Sequence, residues 1–242
     1  CLTTNDHPTK YIGQTLEGHI VDEDMAEHIA AYCAYVKSYS GVHLYEHRFS
    51  LTKWIPDSFG TSDAVVIDEA NKTAHIIDLK YGKGVSVDAE QNTQAMLYAL
   101  GVIDDLGFMY EFDTVVIHIY QPRIKNYSSW QTSTKYLLEW AEWVSQRAKE
   151  TQLPDAPRTP SEKACQWCKA KATCKALLDH THNVIMNDFD DLTSINPDTL
   201  TDNELRVIMD NAKLIKSWLD AVESHIFDKL NNGQAFDGYK LV

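Results

Sequence analysis

The sequence predicts an α/β protein built on a mixed sheet. Two observations carry this. Three strand-like segments, 42–51, 61–70 and 73–80, follow one another with no helix between them. A helix-period segment then leads to a fourth apolar strand at 113–122. Adjacent strands followed by a helix-linked strand suggest helices packed on a mixed sheet.

Residues 22–39, DEDMAEHIAAYCAYVKSY, open with acids and repeat Met25, Ile29, Tyr32 and Val36 at helical spacing, and Gly41 stops the run. VHLYEHRFSL (42–51) alternates and carries aromatic and branched residues, as a strand does. TSDAVVIDEA (61–70) and TAHIIDLK (73–80) read as a hairpin through EANKT. Residues 88–107 form a helix with an apolar stripe at Met96, Leu97, Leu100 and Ile103. DTVVIHIYQP (113–122) is a buried strand stopped by Pro122, and 133–150 is an amphipathic helix. A proline-rich connector, LPDAPRTP, precedes a cysteine cluster, and 198–231 is helical with Asp202 as a plausible cap. The expected organisation is a core at 1–150, a linker and cysteine cluster at 151–180, and a helical tail at 181–242.

Bulk composition bounds the function. At 242 residues, 44% hydrophobic and 24% charged, the chain has the make-up of a globular protein with a sizeable core. No apolar run reaches the length of a membrane span, and CLTTNDHPTK lacks the apolar region of a signal peptide. A net charge of −13 argues against a general nucleic-acid coat protein but leaves room for an enzyme with a local basic patch.

The chemistry concentrates at the hairpin. A turn near Asn71–Lys72 would set Asp63 opposite Lys80 and Val65 opposite Asp78. Asp63, Asp78 and Lys80 would then share one face. Two carboxylates suit Mg²⁺, with the backbone carbonyl of Leu79 as a further oxygen ligand. A lysine beside them could orient water or stabilise developing negative charge. The plain alternative is an Asp78–Lys80 salt bridge at a sheet edge. Gln94 and Tyr98 are four apart and share a helical face, where they could position a phosphate or base, or form a polar shoulder. Glu46 could supply another carboxylate or pair with Arg48. His19 and His28 read as surface residues, and His43, His47, His75 and His118 as structural ones.

Three of the five cysteines, Cys165, Cys168 and Cys174, form a C-x2-C-x5-C run. That spacing suits zinc or an iron–sulfur cluster, and a reduced cysteine-rich helix turn is the alternative. Cys33 is the internal candidate for a fourth ligand, and Cys1 lies at the chain end. Lys163, Lys169, Lys171 and Lys175 surround the trio and could meet DNA phosphate or form a solvated face. Trp167 could stack on a base or cover the cluster.

G-x-x-D (GTSD, 60–63), D-x-K (DLK, 78–80) and Q-x-x-x-Y (QAMLY, 94–98) occur in order, in strand, strand and helix contexts. The combination resembles the RecB-like branch of the PD-(D/E)xK nuclease superfamily. The stretch FGTSDAVVIDE to NTQAMLYALG looks like a phage and prophage family of that branch, formerly labelled a domain of unknown function. The likeness covers roughly residues 10–242.

The resemblance implies a restriction-endonuclease-like core, a mixed central sheet flanked by helices, with a Cys-rich segment and a helical C-terminal tail. It implies a Mg²⁺- or Mn²⁺-dependent deoxyribonuclease, an exonuclease in phage recombination or DNA processing. Asp63 and Asp78 would be metal ligands, Lys80 the catalytic lysine, and Gln94 and Tyr98 the motif that follows. It further implies a [4Fe–4S] cluster on the cysteine trio, ahead of zinc. DNA and a phage recombination protein would be the partners, in the cytoplasm of a bacterial host, with an oligomer compatible. A histidine in a G-x-x-x-H context and a fourth cysteine are expected upstream of Cys1, in an N-terminus read as truncated. The alternatives are a non-cutting DNA-binding module on the same fold, or an interaction protein built on the 198–231 helix.

Overall fold

The computed structural model describes residues 1–186 and 201–241. The chain divides into two compact units, Cys1–Pro154 and Asp155–Val242.

The first unit opens with a small hairpin, β1 (Thr15–Leu16) and β2 (His19–Ile20). Helix α1 (Glu23–Lys37) follows, capped by Asp22, whose carboxylate accepts the Met25 N–H at 2.7 Å. The sheet has five strands, one more than expected: β3 (Val42–Ser50), β4 (Phe59–Asp68), β5 (Thr73–Leu79), β6 (Thr114–Gln121) and β7 (Asn126–Ser133). They lie in that spatial order, antiparallel except for β5 and β6. That parallel pair is joined through α2 (Thr93–Leu106), as a parallel pair must be by a crossover. Pro122 does not end the sheet. It begins a three-residue turn that Lys125 closes with φ 52°, and β7 returns alongside β6. Helix α3 (Thr134–Glu150) follows β7 directly.

Strand alternation gives the sheet two apolar faces. Val65, Ile67, Ile76, Val115, Ile117 and Ile119 face a core with α2 and α3, which contribute Met96, Leu100 and Leu137. Ala64, Val66, Ile77 and Tyr120 face α1 through Tyr32 and Val36. Gly101 lets α2 approach β3, since a Cβ there would lie 2.5 Å from the Phe49 Cβ. The protein is therefore a mixed α/β fold, with a five-stranded mixed sheet flanked by helices.

The β4–β5 register differs from expectation by two residues. The pairs are Ala64↔Ile77 and Asp68↔Thr73, so the turn centres one residue earlier. Asp68 sets it by accepting both the Asn71 backbone N–H and its Nδ2, and Lys72 adopts φ 49°. A shift of two keeps every side chain on its face. Extended by one step, the register sets Asp63 opposite Asp78 rather than Lys80.

The second unit holds α4 (Glu162–Cys165), α5 (Lys175–Met186) and α6 (Asp202–Asn231). Residues 198–200 of the expected long helix lie outside the described residues. Among the described residues, no helix is long and apolar enough to cross a membrane.

Candidate active site

Asp78 and Lys80 sit where β5 ends. They alternate with Ile76, whose side chain is in the α2–α3 core, so both belong to the α2 side of the sheet. The Lys80 Nζ lies 2.9 Å from Asp78 Oδ2. It also donates to Gln94 Oε1 at 2.8 Å, and Gln94 Nε2 donates to the Tyr98 hydroxyl at 2.7 Å. Gln94 and Tyr98 lie on one face of α2 because they are one turn apart. The structure thus joins four of the predicted residues in one chain: Asp78, Lys80, Gln94, Tyr98. Lys80 does not satisfy Asp78. The ammonium is close but off the hydrogen-bonding direction, and Oδ2 is a buried atom with no hydrogen-bond partner.

Gly60, read from sequence only as part of G-x-x-D, has a packing role. A Cβ at this position would lie 2.6 Å from Tyr98 Cδ1, so glycine lets the tyrosine ring lie against β4. Gly60→Ala is expected to destabilise the protein by about 1–3 kcal/mol, the usual cost of overpacking. Thermal unfolding checks this, and an unchanged Tm would show that Tyr98 is free to move.

Asp63 is placed differently from expectation. The β4–β5 ladder has no pair beyond Ala64↔Ile77. Past it, Asp63 Oδ2 accepts the Leu79 N–H at 2.7 Å, so Asp63 meets Leu79 through its amide. Asp63 lines a cavity of about 290 Å³ together with Ile29, Tyr32, Cys33, Tyr45 and Glu46. These are residues of α1 and β3.

Strand β3 is irregular beside Asp63. Tyr45 packs with the α1 core while Phe49 packs with the α2–α3 core. Residues four apart in an unbroken strand share a face. Between them Glu46 has φ 48°, a left-handed conformation uncommon for glutamate. Tyr45↔Ala64 and His47↔Ser62 place Glu46 at the level of Asp63. The irregular backbone therefore lies beside the carboxylates, where strained backbone tends to cluster in functional sites.

Two further acids, Asp78 and Glu46, act on Asp63 here. Burial, then the charges of Asp78 and Glu46, push Asp63 up to about 6, against the pull of the Leu79 N–H and Lys80. Tyr32 lies beneath them and donates to the Ile77 carbonyl at 3.4 Å. Burial, then the charges of Asp63, Asp78 and Glu46, raise its phenol well above its ordinary value.

These residues fit a hard divalent cation. Asp78 presents an unpartnered buried oxygen, Asp63 is a carboxylate held short of its ordinary acidity, and oxygen donors are what Mg²⁺ prefers. Among the described residues, no three His, Cys, Asp or Glu side chains form a group that could hold a metal ion. Asp63 and Asp78 would be the donors, with exposed Glu46 beyond them, and Mg²⁺ commonly makes up the remainder with water.

The same finding covers the cysteines. Cys165 ends α4, Cys168 is exposed, and Cys174 precedes α5. Among the described residues, the trio is not gathered into a group that could hold a metal ion. Cys33, half-buried on α1, lines the cavity beside Glu46 and Asp63. Of the three lysines expected at DNA, Lys171 donates to the Gln166 carbonyl and Ser217, and Lys175 pairs with Asp179. Lys169 is exposed.

His28 lies beside Tyr81, with Nδ1 3.3 Å from the hydroxyl, and Arg123 stacks over the same tyrosine ring. His75 and His118 join Tyr35 and Tyr39 in a polar chain between α1 and the sheet. Tyr39 donates to the Tyr35 hydroxyl, which meets His118 Nδ1 at 2.9 Å, and His118 Nε2 meets His75 Nδ1 at 3.1 Å. Burial, then the charge of His75, holds His118 down to about 4. Burial also lowers His75. Both imidazoles are neutral in the fold near neutral pH, while an unfolded histidine takes up a proton near pH 6.5. Stability from this pair is therefore fully present above about pH 6.5 and is lost as pH falls toward 4. His118→Gln is expected to flatten the fall of Tm across that window. A slope equal to that of the unchanged protein would refute the assignment.

The fold and site define a mixed α/β protein with a carboxylate–lysine–glutamine–tyrosine chain that joins the end of its third sheet strand to α2. The family model described as "Protein of unknown function (DUF2800)" matches residues 3–242, and the chain belongs to that family. It is also similar to a solved structure described as "Crystal structure of SSO0001", at 11% identity over 62% of this chain and 67% of that chain, with a TM-score of 0.33.

Proposed function

We propose that the protein is a metal-dependent DNA nuclease of the RecB-like PD-(D/E)xK type, hydrolysing phosphodiester bonds. The observation that carries this reading is the chain from Asp78 through Lys80 and Gln94 to Tyr98, with Asp63 on the neighbouring strand. A sheet-edge salt bridge explains Asp78 and Lys80 alone. It does not explain why the lysine is also aimed by a glutamine, or why Asp78 keeps a buried oxygen without a hydrogen bond.

Asp63 and Asp78 would hold Mg²⁺ or Mn²⁺, which when bound supplies charge neutralisation on phosphate and a more acidic water. The remaining roles belong to the chain itself. Gln94 fixes the Lys80 ammonium so that its other protons point at water or at a phosphate oxygen. Tyr98 accepts from Gln94, which leaves its own O–H free to donate to substrate. An exonuclease role in phage recombination or DNA processing follows from the resemblance of the three motifs.

The test is digestion of end-labelled linear DNA and of circular DNA with Mg²⁺ or Mn²⁺. Cutting of linear DNA alone supports an exonuclease, and cutting of both an endonuclease. No cutting, with DNA binding retained, favours a binding module on the nuclease fold.

A further inference from the structure

The segment around Trp167 belongs to the second unit and is not used by the proposed chemistry. Trp167 is 84% exposed, more than any other large apolar side chain among the described residues. A tryptophan is usually highly buried, and so open a ring is informative. Its backbone is held firmly. The turn is closed by Cys168 N–H to Cys165 O and by Lys171 N–H to Cys168 O. Lys171 Nζ then ties the Gln166 carbonyl to Ser217 on α6. The indole is thus presented on an ordered turn.

Its surroundings indicate what it meets. Residues 163–178, KACQWCKAKATCKALL, hold four lysines and no acid, in a chain of net charge −13. Lys171 and Lys175 are engaged within the unit. Lys163 and Lys169 are exposed and make no ion pair among the described residues. Exposed lysines four residues before and two after an open aromatic ring match a polyanion that also has flat apolar faces, which is nucleic acid. The bases of a duplex are stacked on one another and offer no face to an indole, whereas those of a single strand do.

We propose that Trp167, flanked by Lys163 and Lys169, is a stacking subsite for single-stranded DNA, the indole on a base and the lysines on adjacent phosphates. This rests on the reading of the protein as a DNA nuclease. The turn that carries the ring is already hydrogen-bonded, so less backbone freedom is lost on binding.

The test is fluorescence anisotropy of labelled oligo-dT and of blunt duplex, with EDTA present to prevent cutting. Trp167→Ala is expected to weaken oligo-dT binding about tenfold and to leave duplex binding less affected. Trp167→Phe, which keeps a ring, should bind close to the unchanged protein. Lys163→Ala with Lys169→Ala should lower the slope of log affinity against log salt by about 1.4, roughly 0.7 for each single-strand phosphate no longer neutralised. Circular dichroism shows whether each variant is folded, and if Trp167→Ala is not, the phenylalanine and lysine variants decide. Equal oligo-dT affinity in folded Trp167→Ala, or an unchanged salt slope in the lysine variant, overturns the subsite. Digestion of the same oligo-dT by the unchanged protein with Mg²⁺ separates this from the nuclease reading. Trp167-dependent binding without cutting overturns the nuclease reading alone, and cutting without Trp167-dependent binding overturns the subsite alone.

Discussion

Lys80→Ala is expected to slow DNA hydrolysis at least about 100-fold, the scale seen when a preorganised charge-stabilising donor is removed from an active site. Lys80 holds the cation of the site between Asp78 and Gln94. Its loss removes the ammonium aimed at the reacting groups, and it leaves Asp78, 4% exposed, without a counter-charge. Lys80→Arg should restore the ion pair without the rate, because a planar guanidinium cannot reproduce a compact ammonium between two acceptors. Gln94→Ala should lie between them, since it leaves the lysine charged but unaimed. Single-turnover cleavage of labelled linear DNA measures all three, and circular dichroism checks each fold. A wild-type rate in Lys80→Ala would remove the catalytic role and return Asp78–Lys80 to a sheet-edge salt bridge.

Much of this arrangement was legible in the chain, and what was not has identifiable causes. The strands carrying VVID, IIDL and VVIHIY are branched, apolar and bounded by turns, so their existence followed from pattern alone. Strand β7 did not. Its half-buried positions are Asn126, Ser128, Trp130 and Thr132, so three of the four are polar and apolar alternation is missing. Those residues face inward because they bind backbone: Asn126 Nδ2 donates to the Val87 carbonyl, and Ser128 Oγ accepts the Ala89 N–H. The hairpin register slipped by two because the Asp68 carboxylate, rather than the Asn71–Lys72 dipeptide, sets the turn. At the site, spacing by two and by four located the Asp78–Lys80 and Gln94–Tyr98 pairs. The placement of Asp63 against the Leu79 amide was not legible, because the strand beside it is irregular at Glu46, and glutamate carries no sequence mark for a left-handed backbone.

The placement of Asp63 leads to a second large effect. Without a divalent ion, the site holds Asp63, Asp78 and Glu46 near a single lysine, and Asp63 titrates at about 6. An unfolded aspartate titrates near 3.9. The folded state thus binds the proton more tightly. The cost of keeping Asp63 charged is fully present above about pH 6 and is relieved as pH falls toward 3.9. Asp63→Asn removes the charge and keeps an oxygen for the Leu79 N–H. At neutral pH it is expected to stabilise the metal-free protein by about 1–2 kcal/mol, the shift being discounted because Asp63 is partly solvated. For a chain of this length that raises Tm by about 2–8 °C. The gain should shrink below pH 6. Ion binding adds stability only while both carboxylates are present, so Mn²⁺ should raise the Tm of the unchanged protein and not that of Asp63→Asn. Differential scanning calorimetry across pH, with and without Mn²⁺, reads both effects and needs no DNA. A variant less stable than its parent at pH 7 would mean that Asp63 is a structural acceptor for Leu79 and carries no stored repulsion. An equal Mn²⁺ response in the two proteins would place the cation elsewhere and detach Asp63 from the chemistry of Lys80.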